Sequence, residues 1–189
     1  EKLFAQMKEN SAAVVFAGAP KIATEDEYYP FIANRHFFYL SNIEQENSVL
    51  LFVKGISEKK IYLFIDEYNE LKEKWTGRRL TQEEARQKSR LQNIYLTDNF
   101  ENMLSLVLSH KNNQYGQIDT LYLDLTPELK IKESFSTQEF EKFVNNEYPH
   151  IKTINIYPII TELRMVKSSD EIGELLNAIN ATNNGISQL

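Results

Sequence analysis

Two short, almost wholly apolar runs, Ser48–Val53 (SVLLFV) and Lys60–Ile65 (KIYLFI), face each other across the turn Gly55-Ile56-Ser57-Glu58. Runs of this length, rich in branched and aromatic side chains and bounded by turn formers, read as strands, and the short connection makes them an antiparallel hairpin. Upstream, Ala12–Ala17 (AAVVFA) is another apolar run, closed by Gly18 and Pro20, and reads as a buried strand. Phe37–Leu40 (FFYL) reads as a compact aromatic strand. Leu3–Lys8 reads as the end of a short helix, and the polar stretch Thr24–Asn34, with its acids and Pro30, as a loop.

Beyond the hairpin the texture changes to alternation. Thr81-Gln82-Glu83-Glu84-Ala85 opens a helix, with Thr81 as N-cap and Glu84 as its reciprocal partner. Asn93–Leu96 is a short strand, and Asp98 is placed to cap a helix carrying Met103, Leu104, Val107 and Leu108 on one face. Thr120–Leu125 is strand again, followed by a turn at Thr126-Pro127. Ser136–Tyr148 is a helix turning Phe140, Phe143 and Val144 inward; Lys152–Ile156 is the last strand, and Pro158 starts a short helical segment through Leu163. Strands that first pair locally and then alternate with helices predict an α/β domain: a mixed sheet of about six strands with helices on both faces.

The composition narrows the function classes. There is no cysteine, which excludes disulfides, zinc–thiolate sites and a cysteine nucleophile, and fits a cytoplasmic setting. The net charge of -6, with basic residues scattered except for Arg78-Arg79, argues against nucleic acid or an anionic membrane as partner. No apolar run approaches the length of a membrane span.

A self-contained active site is not visible. His36, His110 and His150 lie far apart in sequence, with no H-x-x-x-H or H-E-x-x-H pattern, so each reads as a surface or partly packed histidine and no metal ligand set is assigned. Glu25, Asp26 and Glu27 read as a solvated acidic loop. Asp66 and Asp124 lie at or near strand ends, where a nuclease-like pair of carboxylates would form, but isolated acids there are more often turn formers. No catalytic residue is assigned. The stretch Trp75-Thr76-Gly77-Arg78-Arg79 holds the only tryptophan, beside Lys72, Glu73 and Lys74; an exposed tryptophan next to arginine has the composition of a recognition surface, whereas a lone tryptophan is more often core.

Ser168-Ser169-Asp170-Glu171 is a capping box, and Ile172, Leu175, Leu176, Ile179, Ile186 and Leu189 follow at mostly helical spacing. The helix has a strong start and no convincing stop. Either it docks on its own domain or its apolar face belongs partly to a following domain.

Three blocks in order carry a resemblance. Tyr28-Tyr29-Pro30-Phe31-Ile32-Ala33-Asn34-Arg35-His36-Phe37-Phe38-Tyr39-Leu40-Ser41-Asn42-Ile43 resembles the signature stretch of aminopeptidase P N-terminal domains, where an aromatic segment ends in a Thr-Gly turn; here Ser41-Asn42 stands instead, and asparagine also tolerates positive φ. Trp75-Thr76-Gly77-Arg78-Arg79-Leu80 with Glu83 or Glu84 and Ala85 resembles the family's second block. Glu162-Leu163-Arg164-Met165-Val166-Lys167-Ser168-Ser169-Asp170-Glu171-Ile172 resembles the junction at which its catalytic domain begins.

The resemblance implies a ribonuclease-H-like N-terminal domain over residues 1–160, and a junction with the first helix of a metallopeptidase domain over 161–189. The full enzymes remove an N-terminal residue that precedes proline, using two divalent ions, usually manganese, held by Asp, His and Glu of the C-terminal domain. Those ligands would lie beyond Leu189, so this chain alone is expected to be inactive. The implied partners are the chain's own catalytic domain, further copies in a homo-oligomer, and a peptide with proline in second position. By the same resemblance Trp75, on a loop similar to one that reaches a neighbour's active site, and Arg164, at the junction, are expected to bind substrate. A prolidase or creatinase N-terminal domain, a peptidase-like interaction module, and a nuclease using Asp66 and Asp124 are the alternatives.

Overall fold

The computed structural model describes residues 1–25, 27–68, 73, 77–109, 115–125 and 137–188. Helix α1 (Lys2–Gln6) leads into β1 (Ser11–Phe16); α2 (Arg35–Ser41) precedes the hairpin β2 (Val49–Lys54) and β3 (Lys59–Ile65). Then come α3 (Gln82–Ser89), β4 (Asn93–Leu96), a short 3-10 turn (Thr97–Asn99), α4 (Phe100–Leu108), β5 (Thr120–Leu123), α5 (Thr137–Glu147), β6 (Lys152–Asn155), α6 (Tyr157–Met165) and α7 (Ser169–Ile186).

The six strands form one mixed sheet in the order β4-β3-β2-β1-β5-β6. The predicted hairpin pairs Val49 with Phe64 and Lys54 with Lys59. β1 lies in the middle, antiparallel to β2 and parallel to β5. Its side chains alternate between two cores: Ala13 and Val15 enter one, Ala12 and Val14 the other. Leu50 and Phe52 of β2 follow the first face, Leu51 and Val53 the second. Helices therefore must cover both sides of the sheet. α1, α2, α3 and α6 contribute Phe4, Phe37, Ala85 and Ile160 to one core; α4 and α5 contribute Leu104, Val107, Phe140 and Val144 to the other.

Three expectations are corrected. Phe37–Leu40 is not a strand but the middle of α2. A four-residue apolar run has no period long enough to separate the two states, and the flanking polar residues decide. Asn34 Oδ1 accepts from the backbone N–H of His36 at 2.8 Å and of Phe37 at 3.2 Å, capping the helix, and Asn42 closes it in the left-handed region at φ 56. Asp98 caps no helix: it sits within the 3-10 turn, and α4 starts two residues later, after Asn99. The neighbouring Thr97 hydroxyl ties that turn to Asp66 at 2.8 Å. Phe143, expected inward, is 47% exposed, lying against the rings of Phe140 and Tyr148 on the helix rim. The turn expected at Thr126-Pro127 and the first residue of the helix expected from Ser136 lie outside the described residues.

Both capping boxes form as the sequence predicts, Thr81 with Glu84 and Ser168 with Glu171. Among the described residues, no helix is long and apolar enough to cross a membrane.

Candidate functional site

A groove of about 1430 Å³ opens on the face of the sheet covered by α1, α2 and α6, and the start of α7 forms part of its wall. Its floor is organised by α2. The Asn34 cap fixes that helix's first turn, and the Nδ2 of the same side chain donates to Asp124 Oδ2 at 3.3 Å. His36 Nδ1 lies 2.8 Å from the same oxygen; both side chains are nearly inaccessible, at 7% and 6%. The His36 ring leans on Tyr157 with centroids 5.1 Å apart. One turn on, the Tyr39 hydroxyl donates to the carbonyl of Leu163 at 3.2 Å. The Tyr39 phenol is held above its ordinary pKa, first by burial and then by the charge of Glu171, with Arg164 pulling the other way. Arg164 itself lines the groove from the last turn of α6.

The buried His36–Asp124 pair was not visible in the sequence, because its partners are 88 residues apart and meet only when β5 ends beside α2. His36 is thus neither a surface nor a partly packed histidine but a buried, paired one. His150 Nε2 lies 3.0 Å from the carbonyl of Leu108. His110 lies outside the described residues.

Asp66 and Asp124 do not converge. They follow β3 and β5, which β2 and β1 separate, so about 14 Å of sheet lies between them. Asp66 has its own partners: Thr97, the Arg79 guanidinium and Asn47 at 3.3 Å. Burial pushes its pKa up, but the hydrogen bonds from those three groups and the charge of Arg79 outweigh it and leave the carboxyl below its usual range. Asp66 and Asp124 are thus too far apart to act as the carboxylate pair of a nuclease.

Of the two arginines of the predicted recognition stretch, Arg79 turns inward and Arg78 stays on the surface. Arg79, only 13% exposed in its side chain, bridges Asp66 and Glu46, the latter at 2.6 Å. Arg78 pairs with Glu84. Gln45 Oε1 accepts from Leu80 N–H at 2.7 Å, and Glu73 accepts from Arg79 N–H at 2.6 Å. Trp75 lies outside the described residues, as does Asp26 of the acidic loop, whose Glu25 and Glu27 are exposed. Among the described residues, no group of three or more histidine or carboxylate side chains is placed to hold a metal ion. The described residues therefore do not fit the pair of divalent ions. The lining of the groove is mixed: Arg35 and Arg164, Tyr39 and Tyr157, the His36–Asp124 pair and apolar side chains.

A sequence profile described as the aminopeptidase P N-terminal domain matches residues 1–115. The chain is 30% identical over 171 residues to an Xaa-Pro aminopeptidase from Haemophilus influenzae, covering 90% of this chain and 36% of that protein. In structure it matches a candidate aminopeptidase P from Bacillus anthracis with a TM-score of 0.88 at 31% identity, over 98% of this chain and 43% of the other. A proline aminopeptidase P II from Yersinia pestis matches with a TM-score of 0.70 at 26% identity, over 90% of this chain and 38% of its own. The chain thus spans roughly two-fifths of the length of these relatives.

Proposed function

The chain belongs to the aminopeptidase P N-terminal domain family, and from that premise we propose that it is the non-catalytic N-terminal domain of an Xaa-Pro aminopeptidase. In this reading residues 1–160 form the domain proper, and residues 161–189 form the junction and the first helix of a metallopeptidase domain. That following domain removes the residue ahead of proline, with two divalent ions, manganese by family resemblance, held by its own Asp, His and Glu side chains. The N-terminal domain contributes oligomer contacts and walls of the substrate pocket, with Arg164 and Trp75 assigned to substrate binding by the family resemblance. Such a wall suits the substrate, because proline fixes φ and offers no amide hydrogen, so selection rests on shape. The cysteine-free sequence suits a reducing cytoplasm.

One observation carries this reading. α7 is a capped helix of 18 residues with none of them buried. Ile172, Leu175, Leu176 and Ile179 are about half exposed, at 49 to 53%, on a single face. An apolar stripe of that kind belongs against another surface.

The test is to assay this chain and the full-length protein side by side with an Xaa-Pro peptide and manganese. The full-length protein is expected to release the N-terminal residue, and this chain to show none. Turnover by the chain alone, lost on chelation and restored by the ion, would overturn the assignment. Dipeptide and tripeptide substrates given to the full-length protein separate prolidase from aminopeptidase activity.

A further inference from the structure

Arg164 occupies the last turn of α6, where the final four carbonyls of a helix have no partner within it. Three of those carbonyls are met by side chains. The Tyr39 hydroxyl donates to Leu163 at 3.2 Å; the Lys167 ammonium donates to Arg164 at 2.8 Å and to Met165 at 3.4 Å. The Lys167 bonds are local and exposed. The Tyr39 bond is different in kind, for it spans 124 residues and comes from a helix that is itself immobilised. α2 is capped by Asn34, pinned to the end of β5 through His36 and Asp124, and closed at its far end by the Ser41 hydroxyl bonded to the carbonyl of Phe37 at 2.8 Å.

We propose that Tyr39 is a positioning residue for Arg164: α2 is a brace fixed to the sheet, and the Tyr39 hydroxyl transmits that fixity to the turn from which Arg164 enters the groove. This rests on the substrate-binding role proposed above for Arg164. Tyr39 touches no substrate in this scheme. Its phenol lies within the fields of both Arg164 and Glu171, the capping-box acid in the first turn of α7, so it stands where α2, α6 and α7 meet. Without the bond, the arginine samples more orientations before a peptide arrives, and binding bears the cost of ordering it.

The experiment uses the full-length protein and the variants Tyr39→Phe, Arg164→Ala and the double variant, with an Xaa-Pro tripeptide. Tyr39→Phe removes one oxygen and keeps the ring. It is expected to raise KM about 2- to 12-fold, the equivalent of one lost hydrogen bond, with kcat within about twofold. The double variant is expected to be no worse than Arg164→Ala alone, because both changes act through one side chain. Amide exchange at residues 163–167 is expected to quicken in Tyr39→Phe while the global melting temperature holds. If Arg164→Ala raises KM but Tyr39→Phe leaves both KM and that exchange unchanged, the positioning role is overturned alone. If Arg164→Ala leaves KM unchanged, the pocket role of Arg164 is overturned and the positioning role with it.

Discussion

The Lys54 ammonium donates to the carbonyl of Met7 at 2.7 Å and to that of Phe4 at 2.9 Å, so a lysine at the end of β2 closes the C-terminus of α1. Glu9 adds a carboxylate at 3.2 Å from the exposed side. α1 is too short to hold itself together, and it stays in place because Leu3, Phe4 and Met7 are buried and its free carbonyls are met. Lys54→Met keeps the length of the side chain and removes the donors. Stability is expected to fall by about 1–3 kcal/mol, the cost of stranding buried carbonyls. Denaturant midpoints measure it; a midpoint equal to that of the wild type would show that water replaces the ammonium.

The His36–Asp124 pair calls for a cycle rather than a single change. Asp124→Leu leaves the imidazole buried without its acceptor and is expected to cost about 1–3 kcal/mol. His36→Phe takes the imidazole from the carboxylate and leaves it the Asn34 amide. The double variant is expected to be more stable than the sum of the two losses implies, with a coupling energy of about 0.5–3 kcal/mol, because an apolar pair leaves neither group unmet. Additive losses would mean that each residue is held by other neighbours.

How much of this was legible in sequence follows from how local each signal is. The hairpin and both capping boxes are written within a few residues, Thr81 with Glu84 and Ser168 with Glu171, and all form. The apolar core of α2 is a single turn long, and its helical identity lies in two asparagines, Asn34 and Asn42. Nothing local in the sequence joins Asp124 to His36, since what unites them is the parallel pairing of β1 with β5. Arg79 is the opposite case: its charge suggested a surface, but β3 delivers Asp66 beside it and turns it into an internal clamp. The exposed stripe of α7 was legible as a stripe, and only the fold reveals that nothing in the described domain covers it.

Asp66 gives the acid limb of the stability curve a specific cause. Its folded pKa lies below its value in an unfolded chain, about 3.9, so the folded state gains from the ionised carboxylate. That gain is complete above the unfolded value and is lost as pH falls through the folded one. Asp66→Asn is expected to lower stability most at neutral pH, where the gain is complete, and least in strong acid, where it is already lost, so the pH dependence of stability below about pH 4 flattens. Arg79→Met removes the opposing charge and is expected to shift the acid transition in the same sense. Denaturant midpoints from pH 2 to 7 measure both; an unchanged acid limb in Asp66→Asn would place the effect on other carboxylates.

The apolar face of α7 makes opposite forecasts for this chain and for the full-length protein. Leu175 and Ile179 lie one turn apart and are each about half exposed, at 52 and 53%. Changing both to serine removes no contact with a buried core in the described structure, since no residue of α7 is buried. In this chain alone the double variant is therefore expected to change stability by no more than about 0.5 kcal/mol per site. In the full-length protein the same face is covered in the reading proposed above, and each truncated side chain is expected to cost on the order of 1.5–3 kcal/mol. Hydrogen exchange along residues 169–186 gives an independent measure: fast in this chain, slow in the full-length protein. Equal exchange in both, together with equal and small stability changes, would mean that α7 stays uncovered and that its stripe serves some other contact. A large loss in this chain alone would mean that the helix already docks on its own domain.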